Sequence, residues 1–428
     1  MRILRRILFW IIITSLTACG KEDLGNTYVE GKDHQYMWKA FDSWGQSKAK
    51  GERGHFFRQG KYVYCLPDGV DALVPLCSKV DCMHTDETDD EKYVMCDAYF
   101  TGEGGWDGIS YYNGYLYTFC SEFENEPCQR LYRIKEDGAG KELVYEWDGW
   151  TIEEWCIHRG EFFYVNHIYY ENETEEGAVE ELCVKKIPIE GFGTTIPELV
   201  YEGPEDIEIA MIMNLNAYGN YLYFSVTGST GTAEDLLGAD TWLEYFYSSQ
   251  TVVNISTGEQ SEIVVPNADS AVSVQAVTFW QDKLVYKGYN HVDELGLHGK
   301  IQVYISELDG TNPNVIIEDV AQGTRILADD RYLYLTNTAF VIREGKEKQI
   351  YQVYDKELQL VDSMGIPYTI PEDREIGDAS GLYFFKQINQ DKIALVYFDK
   401  STIGNYQGKD FVYTEVAEWN YANADLDD

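Results

Sequence analysis

The stretch Ile109–Phe119 reads ISYYNGYLYTF: an aromatic and aliphatic run, the dipeptide Asn113-Gly114, and a second aromatic run. Asn-Gly between β-forming residues is the strongest short-range signal for a hairpin, because both central residues of the turn adopt positive φ. The stretch therefore predicts two antiparallel strands joined by a two-residue turn.

Six other stretches follow the same pattern of apolar run, short polar turn and aromatic run. They begin at His55, Trp155, Leu215, Val277, Ile326 and Gly377. The pattern recurs about every fifty residues, and most copies precede a second β-rich stretch, so that each unit offers four strands, A to D. A large sandwich or a string of small β domains gives no reason for such a recurrence.

This repeat predicts an all-β fold: a single β-propeller of four-stranded blades. We expect seven blades, while six or eight are compatible with a blade shared between the two ends of the chain. Strands A and B form the tight hairpin of each unit, and strands C and D follow it. Residues 35–428 are assigned to the propeller.

The first residues, MRILRRILFWIIITSLTAC, combine three arginines, an apolar run and small residues before a cysteine. This order is typical of a secretion signal. The alternative is a short transmembrane anchor, but the apolar run is shorter than the roughly 20 residues that span a bilayer. Leu16-Thr17-Ala18-Cys19 resembles the lipobox of bacterial lipoproteins, which implies cleavage after residue 18 and acylation of Cys19. We therefore expect a signal peptide at 1–18 and a lipidated, polar tether at 19–34.

The lipobox, the recurring Tyr-Leu-Tyr hairpins, an early cysteine-rich insert and a closing YFDKSTIG segment together resemble a family. It comprises the propeller lipoproteins of Gram-positive anaerobes, whose domain is likened to the YWTD propellers of lipoprotein receptors. The resemblance covers most of the chain and implies fold and compartment. It is silent on the ligand. The expected location is the outer face of the cell membrane, held by lipid.

The chain is strongly acidic, with 34 Lys and Arg against 73 Asp and Glu and a formal net charge of −39 over 428 residues. This charge balance excludes a basic nucleic-acid footprint and disfavours polyanions. It favours neutral or cationic partners: a glycan, a peptide or an envelope protein. We expect a monomer.

The nine cysteines leave an even number after lipidation of Cys19, which permits disulfides in an oxidising compartment. A hairpin centred near Glu124 would set Cys120 opposite Cys128 and predicts a disulfide there.

The insert at 77–96 contains the densest cluster: Cys77, Cys82, His84 and Cys96. Three thiolates and one imidazole make a complete tetrahedral set for structural zinc. Disulfides among these cysteines, or with Cys65, are the alternative.

Three B–C connections, in the third, fourth and fifth blades, are long enough to form a continuous rim. Aromatic side chains beside carboxylates suit sugar stacking or cationic groups, and packing of the loops is the alternative role for each ring. The candidate ligand-binding residues are Tyr169, Tyr170, Trp242, Tyr245, Tyr247, Tyr289, His291 and His298.

The sequence contains no Gly-x-Ser-x-Gly elbow, no His-Glu-x-x-His and no phosphate-binding glycine loop. We therefore expect a binding module without catalysis and assign no catalytic residue. A glycan-active lyase or hydrolase on the same scaffold, and a structural component of an envelope complex, are the alternatives.

Overall fold

The computed structural model is a seven-bladed β-propeller, in which every blade is a four-stranded antiparallel sheet. The predicted fold and blade number are confirmed. The structure describes residues 24–35, 48–59, 61–70, 72–82, 84, 96–100, 108–122, 128–149, 151–170, 178–204, 207–231, 245–266, 268, 274–289, 300–321, 323–337, 350–367, 376–377, 380–389 and 392–420.

The first four blades contain strands β1 to β16. Blade 1 comprises β1 (Lys48–Lys50), β2 (Gly54–Gln59), β3 (Tyr62–Pro67) and β4 (Val74–Pro75). Blade 2 comprises β5 (Ile109–Tyr112), β6 (Tyr115–Glu122), β7 (Cys128–Lys135) and β8 (Glu142–Asp148). Blade 3 comprises β9 (Ile152–His158), β10 (Glu161–Tyr170), β11 (Ala178–Pro188) and β12 (Glu198–Tyr201). Blade 4 comprises β13 (Glu208–Tyr218), β14 (Tyr221–Ser229), β15 (Phe246–Asn254) and β16 (Gln260–Glu262).

The last three blades contain strands β17 to β28. Blade 5 comprises β17 (Val274–Trp280), β18 (Lys283–Tyr289), β19 (Ile301–Ser306) and β20 (Asn314–Ile317). Blade 6 comprises β21 (Thr324–Ala328), β22 (Leu333–Asn337), β23 (Ile350–Tyr354) and β24 (Leu360–Gly365). Blade 7 comprises β25 (Ile376–Gly377), β26 (Gly381–Asn389), β27 (Lys392–Asp399) and β28 (Thr414–Asn420).

The second strands of the blades are buried on both faces. In β14 the side chains of Leu222, Tyr223 and Phe224 are at most 1% exposed. A blade is covered by a neighbour on each side, so its inner strands are near-continuous apolar runs rather than alternating ones. This packing explains the recurring Tyr-Leu-Tyr triplets that the sequence shows.

The turns between first and second strands are short and use left-handed backbone. Asn113 and Gly114 have φ of 50° and 82°, and Arg159 and Gly160 have φ of 51° and 83°. These are the positive φ values that a two-residue hairpin needs. The turns lie on one face of the propeller, together with the turns between third and fourth strands; we call this the A–B face. The opposite face carries the connections between second and third strands and is called the B–C face.

Blade 1 is built differently from the sequence prediction. The hairpin around residue 60 was assigned to strands A and B, but it joins β2 to β3 and is a B–C hairpin. The missing first strand is β1, whose Lys48–Lys50 pair with His55–Phe57. Its sequence, Lys-Ala-Lys, has no apolar run, so only its pairing with β2 defines it as a strand.

Within the part of the chain described, no helix has the length and apolar composition needed to span a bilayer.

Candidate metal centre and loop face

The cysteine-rich insert completes the outer edge of blade 1. Strand β4 has only two residues, Val74–Pro75, and the residues that flank the insert continue the pairing with β3 beyond Pro75. The Leu76 N–H donates to the Val63 carbonyl at 2.9 Å, and the Val63 N–H donates to the Ala98 carbonyl at 2.9 Å. Backbone pairing therefore fixes both ends of the insert on β3.

The four predicted ligands converge. One donor atom from each of Cys77, Cys82, His84 and Cys96 lies within 4.8 Å of every other donor. The Cys96 Sγ and His84 Nδ1 are 3.6 Å apart. Tetrahedral zinc with Zn–S of about 2.3 Å and Zn–N of about 2.0–2.1 Å needs an S···N separation of about 3.5 Å. The donor set and its spacing fit a soft, tetrahedral ion.

Outer contacts hold the ligands in position. The Lys141 ammonium donates to the carbonyls of Cys96 at 3.1 Å and Tyr99 at 2.7 Å. Lys79 forms an ion pair with Asp97 at 2.7 Å. Both lysines lie beside the sulfur cluster, so they offset negative charge from the thiolates.

Blade 2 supports the insert as well. The Ser78 N–H donates to the Gly138 carbonyl at 3.0 Å. Gly138 has φ of 79°, and a Cβ there would lie 2.9 Å from the Cys77 nitrogen. This close approach of two backbones requires glycine, so the centre lies at the junction of blades 1 and 2.

The pKa values of Cys77 and Cys96 are shifted in opposite directions. Burial raises the pKa of Cys77, but hydrogen bonds from the backbone of Lys79 and Asp97 outweigh it, so the net shift is downward. Burial raises the pKa of Cys96 to about 12. A cation bound among the three sulfurs would favour their ionised forms, as metal binding to thiols requires.

The register of blade 2 corrects the expected Cys120–Cys128 pairing. Cys120 lies opposite Arg130, and Cys128 lies opposite Glu122. The hairpin is centred on residue 125 rather than near Glu124, and a shift of one residue in the centre moves the partner by two. Such diagonal neighbours have Cα atoms about 7–8 Å apart, beyond ordinary disulfide reach.

The B–C connections are unequal, as predicted, but their distribution differs. The strands leave residues 171–177 in blade 3, 230–245 in blade 4, 290–300 in blade 5 and 338–349 in blade 6 between second and third strands. The connection of blade 3 is shorter than expected, because β10 continues to Tyr170 and β11 begins at Ala178. Blade 6 also has a long connection, 338–349, which the sequence analysis does not predict.

Most of the predicted rim residues lie outside the described residues: Trp242, His291 and His298, and the side chains of Tyr169 and Tyr170 at the end of β10. Three tyrosines are described. Tyr245 is half-buried just before β15, and its carbonyl accepts from the Thr230 N–H at 2.9 Å. Tyr247 is half-buried and donates to Glu262 at 3.2 Å. Tyr289 is 1% exposed, and burial raises its pKa to about 12.

A histidine–carboxylate pair on blade 3 had no sequence signal. The His167 Nδ1 is in hydrogen-bond contact with Glu153 Oε1. Both side chains lie near the B–C face, at the end of β10 and the start of β9. Residues 14 apart meet there only because the hairpin register brings them together.

Comparisons with known proteins assign no family to this chain. No protein-family model matches the chain, and no curated protein matches it. Similar solved structures include an oligogalacturonate lyase in complex with manganese, with 13% identity, TM-score 0.44, and 71% of this chain and 74% of that chain covered. An uncharacterized protein from Listeria monocytogenes EGD-e has 12% identity, TM-score 0.42, and 71% and 79% covered.

A prolyl endopeptidase is also similar, with 12% identity and TM-score 0.49 over 88% of this chain and 50% of that chain. This chain therefore spans half the length of that endopeptidase. At such identities and TM-scores, none of these similarities supports an argument about activity.

Proposed function

We propose that this chain is a lipid-anchored, extracytoplasmic propeller that binds a ligand or partner protein without catalysis. The tether is Cys19, and the binding face is the B–C face of blades 3 to 6. A structural zinc ion at Cys77, Cys82, His84 and Cys96 closes the insert of blade 1.

The observation that carries the proposal is the asymmetry between the two faces of the propeller. On the A–B face, the described first-to-second-strand connections are as short as two residues, as at Asn113-Gly114. On the B–C face, four consecutive blades carry the connections 171–177, 230–245, 290–300 and 338–349. Consecutive blades are neighbours, so the strand ends that flank these connections lie side by side on one face. Connecting segments on a rigid scaffold are where binding residues concentrate.

Charge and residue type support the class of ligand. The chain has a net charge of −39, which favours neutral or cationic ligands. Tyr245, half-buried at this face, offers a ring for stacking against a sugar or a cationic group.

The zinc ion has a structural role in this proposal. All four tetrahedral positions are supplied by protein side chains, so no position remains for water or substrate, and a closed set of this kind is typical of structural sites.

Binding can be tested with the chain from residue 20 onward and a panel of neutral, cationic and anionic oligosaccharides and peptides. Calorimetry should detect binding of neutral or cationic members. Tyr245→Ala should weaken that binding about five- to tenfold, the cost of losing one aromatic contact. Tyr332→Ala is the matched control, because Tyr332 is equally half-buried but lies in the A–B hairpin of blade 6.

Assays for new reducing ends and for unsaturated products should remain at background. Product release would replace the binding module with a lyase or hydrolase. Equal weakening by the two tyrosine variants would overturn the B–C face as the binding surface.

A further inference from the structure

Residues 24–35 form a strap that lies across the A–B face, where the sequence analysis expects only a polar tether at 19–34. The Asn113 N–H of blade 2 donates to the Gly31 carbonyl at 2.9 Å. The Arg159 N–H of blade 3 donates to the Lys32 carbonyl at 2.8 Å. In blade 4, a Cβ on Gly219 would lie 2.9 Å from Asn26 backbone. The strap therefore contacts the A–B turns of three consecutive blades.

Arg159 is the main anchor of the strap. Its Nε and Nη2 donate to the two oxygens of Asp33 at 2.8 and 3.1 Å. The same guanidinium donates to the carbonyls of Gly25 at 2.8 Å and Thr27 at 3.1 Å. The Asp33 side chain is 0% exposed and that of Arg159 14%. A buried bidentate pair of this kind stabilises the strap and also fixes its orientation relative to Arg159.

A buried histidine holds the end of the strap. The His34 N–H donates to His158 Nδ1 at 3.1 Å, and His158 Nε2 donates to the Gly219 carbonyl at 2.8 Å. Burial lowers the pKa of His158 to about 4. His158 is therefore neutral at neutral pH, as an Nδ1 that accepts a hydrogen bond must be.

The strap leaves very little chain between the propeller and residue 19. Only residues 20–23 separate Cys19 from Leu24, the first residue of the strap. Whatever its conformation, this stretch spans at most about 18 Å. Strand β14 has nine residues, Tyr221–Ser229, so the two faces are about 30 Å apart. A chain anchored at Cys19 cannot reach the bilayer with its B–C face.

We infer that the strap orients the propeller on the membrane, with the A–B face toward the lipid headgroups and the B–C face turned away from them. This inference rests on the lipid anchor proposed above. It adds that the anchor is a short, directed attachment rather than a flexible tether, so that the binding face is presented to partners beyond the membrane.

The test compares the distances of the two faces from a bilayer. The full lipidated protein is reconstituted into phosphatidylcholine vesicles with headgroup-labelled acceptor lipids. A donor fluorophore is introduced through a non-natural amino acid at Ser256 or at Glu202. Both positions are exposed; Ser256 lies in the turn after β15 on the A–B face, and Glu202 follows β12 on the B–C face.

Energy transfer from position 256 should exceed that from position 202 about twofold or more, because the faces are about 30 Å apart. Inserting about twenty Gly and Ser residues after Lys21, with an average span of about 25 Å, should reduce the difference while leaving the fold untouched. Asp33→Ala should reduce it as well, because it releases the strap. The matched control Glu30→Ala removes an exposed acid from the same strap and should leave the difference unchanged.

Two results would overturn the inference and are distinguishable. Failure of the protein to associate with vesicles would contradict both the proposed lipid anchor and the inferred orientation. If the protein associates with vesicles but energy transfer from the two positions is equal, or if the insertion leaves the difference in transfer intact, only the inferred orientation is contradicted.

Discussion

Two segments outside the regular strands hold their blades together by different chemistry. The insert of blade 1 brings together three sulfurs and an imidazole within 4.8 Å. The connection between β27 and β28 in blade 7 instead buries Tyr406 and Phe411 in an apolar cluster with blade 6. The first junction, in our proposal, closes around a metal ion, whereas the second is complete with protein atoms alone.

The junction of blades 6 and 7 is centred on two buried carboxylates. Asp362 accepts the backbone N–H groups of Gly404 at 2.7 Å and Gln407 at 2.8 Å. Burial raises the pKa of Asp362, but these hydrogen bonds outweigh it and the net shift is downward. Asp329 forms an ion pair with Lys400, with side chains 1% and 0% exposed. Both carboxylates tie the connection of blade 7 to blade 6.

The largest expected effect separates the two junctions by removing a ligand. Cys82→Ser should reduce zinc from about one ion per chain to a trace, because losing a ligand exceeds the 10- to 100-fold cost of losing an outer contact. Elemental analysis measures the zinc, and hydrogen exchange should show opening of the blade 1 insert with blades 6 and 7 unchanged. Cys65→Ala, in the same apolar cluster but outside the ligand set, should retain zinc. Full zinc in Cys82→Ser would contradict the proposed centre.

The next effect concerns the buried ion pair. Lys400→Met should lower the free energy of unfolding by about 3–5 kcal/mol, because it leaves the Asp329 carboxylate buried without its cation. Lys392→Met is the control: its pair with Glu418 is exposed, with side chains 38% and 43% accessible, and its loss should cost less than about 1 kcal/mol. Equal denaturation midpoints for the two variants would show that the buried Lys400–Asp329 pair stabilises the fold no more than the exposed Lys392–Glu418 pair does.

A smaller loss is expected at Asp362. Asp362→Ala should lower the free energy of unfolding, measured with denaturant, by about 2–3 kcal/mol. The reason is that buried N–H groups of the blade 7 connection lose a charged acceptor. Zinc content should stay unchanged, since Asp362 belongs to the other junction. Asp355→Ala, which removes an exposed acceptor from the Glu357 and Gln359 N–H groups, should cost about 1 kcal/mol or less. A drop in bound zinc in Asp362→Ala would show that the junctions are coupled.

The smallest effect tests the outer contacts of the metal centre. Lys79→Ala removes the ion pair with Asp97, in which the lysine side chain is 45% exposed. The free energy of unfolding should change by less than about 1 kcal/mol. Zinc should remain bound at about one ion per chain, because no ligand is lost. A zinc loss as complete as that of Cys82→Ser would make Lys79 part of the centre itself.

Local signals in the sequence were sufficient for the number of blades and for the clustering of Cys77, Cys82, His84 and Cys96. Asn113-Gly114 marks a hairpin because few residue pairs accept positive φ. The short spacing from Cys77 to His84 and on to Cys96 limits how far apart these side chains can lie. Both signals act within one blade or one insert, so no knowledge of distant residues was needed.

Features that depend on register were beyond such reasoning. The first strand, Lys48–Lys50, is polar and becomes a strand only through pairing with β2. The predicted pairing of Cys120 with Cys128 is wrong because the centre of the hairpin lies one residue further along the chain than expected. Alternating side chains make register decisive, because a slip of one residue changes every cross-strand partner.

The sequence by itself determined a repeated, β-forming, acidic chain with a compact set of soft metal ligands, because these properties follow from composition, alternation and short spacing. Only the tertiary structure decided which residues meet across the ring of blades. Asp33 and Arg159 are 126 positions apart, and their contact exists because successive blades bring their A–B turns onto one face. Closure of the propeller, rather than any local preference, turns residues 24–35 into a strap.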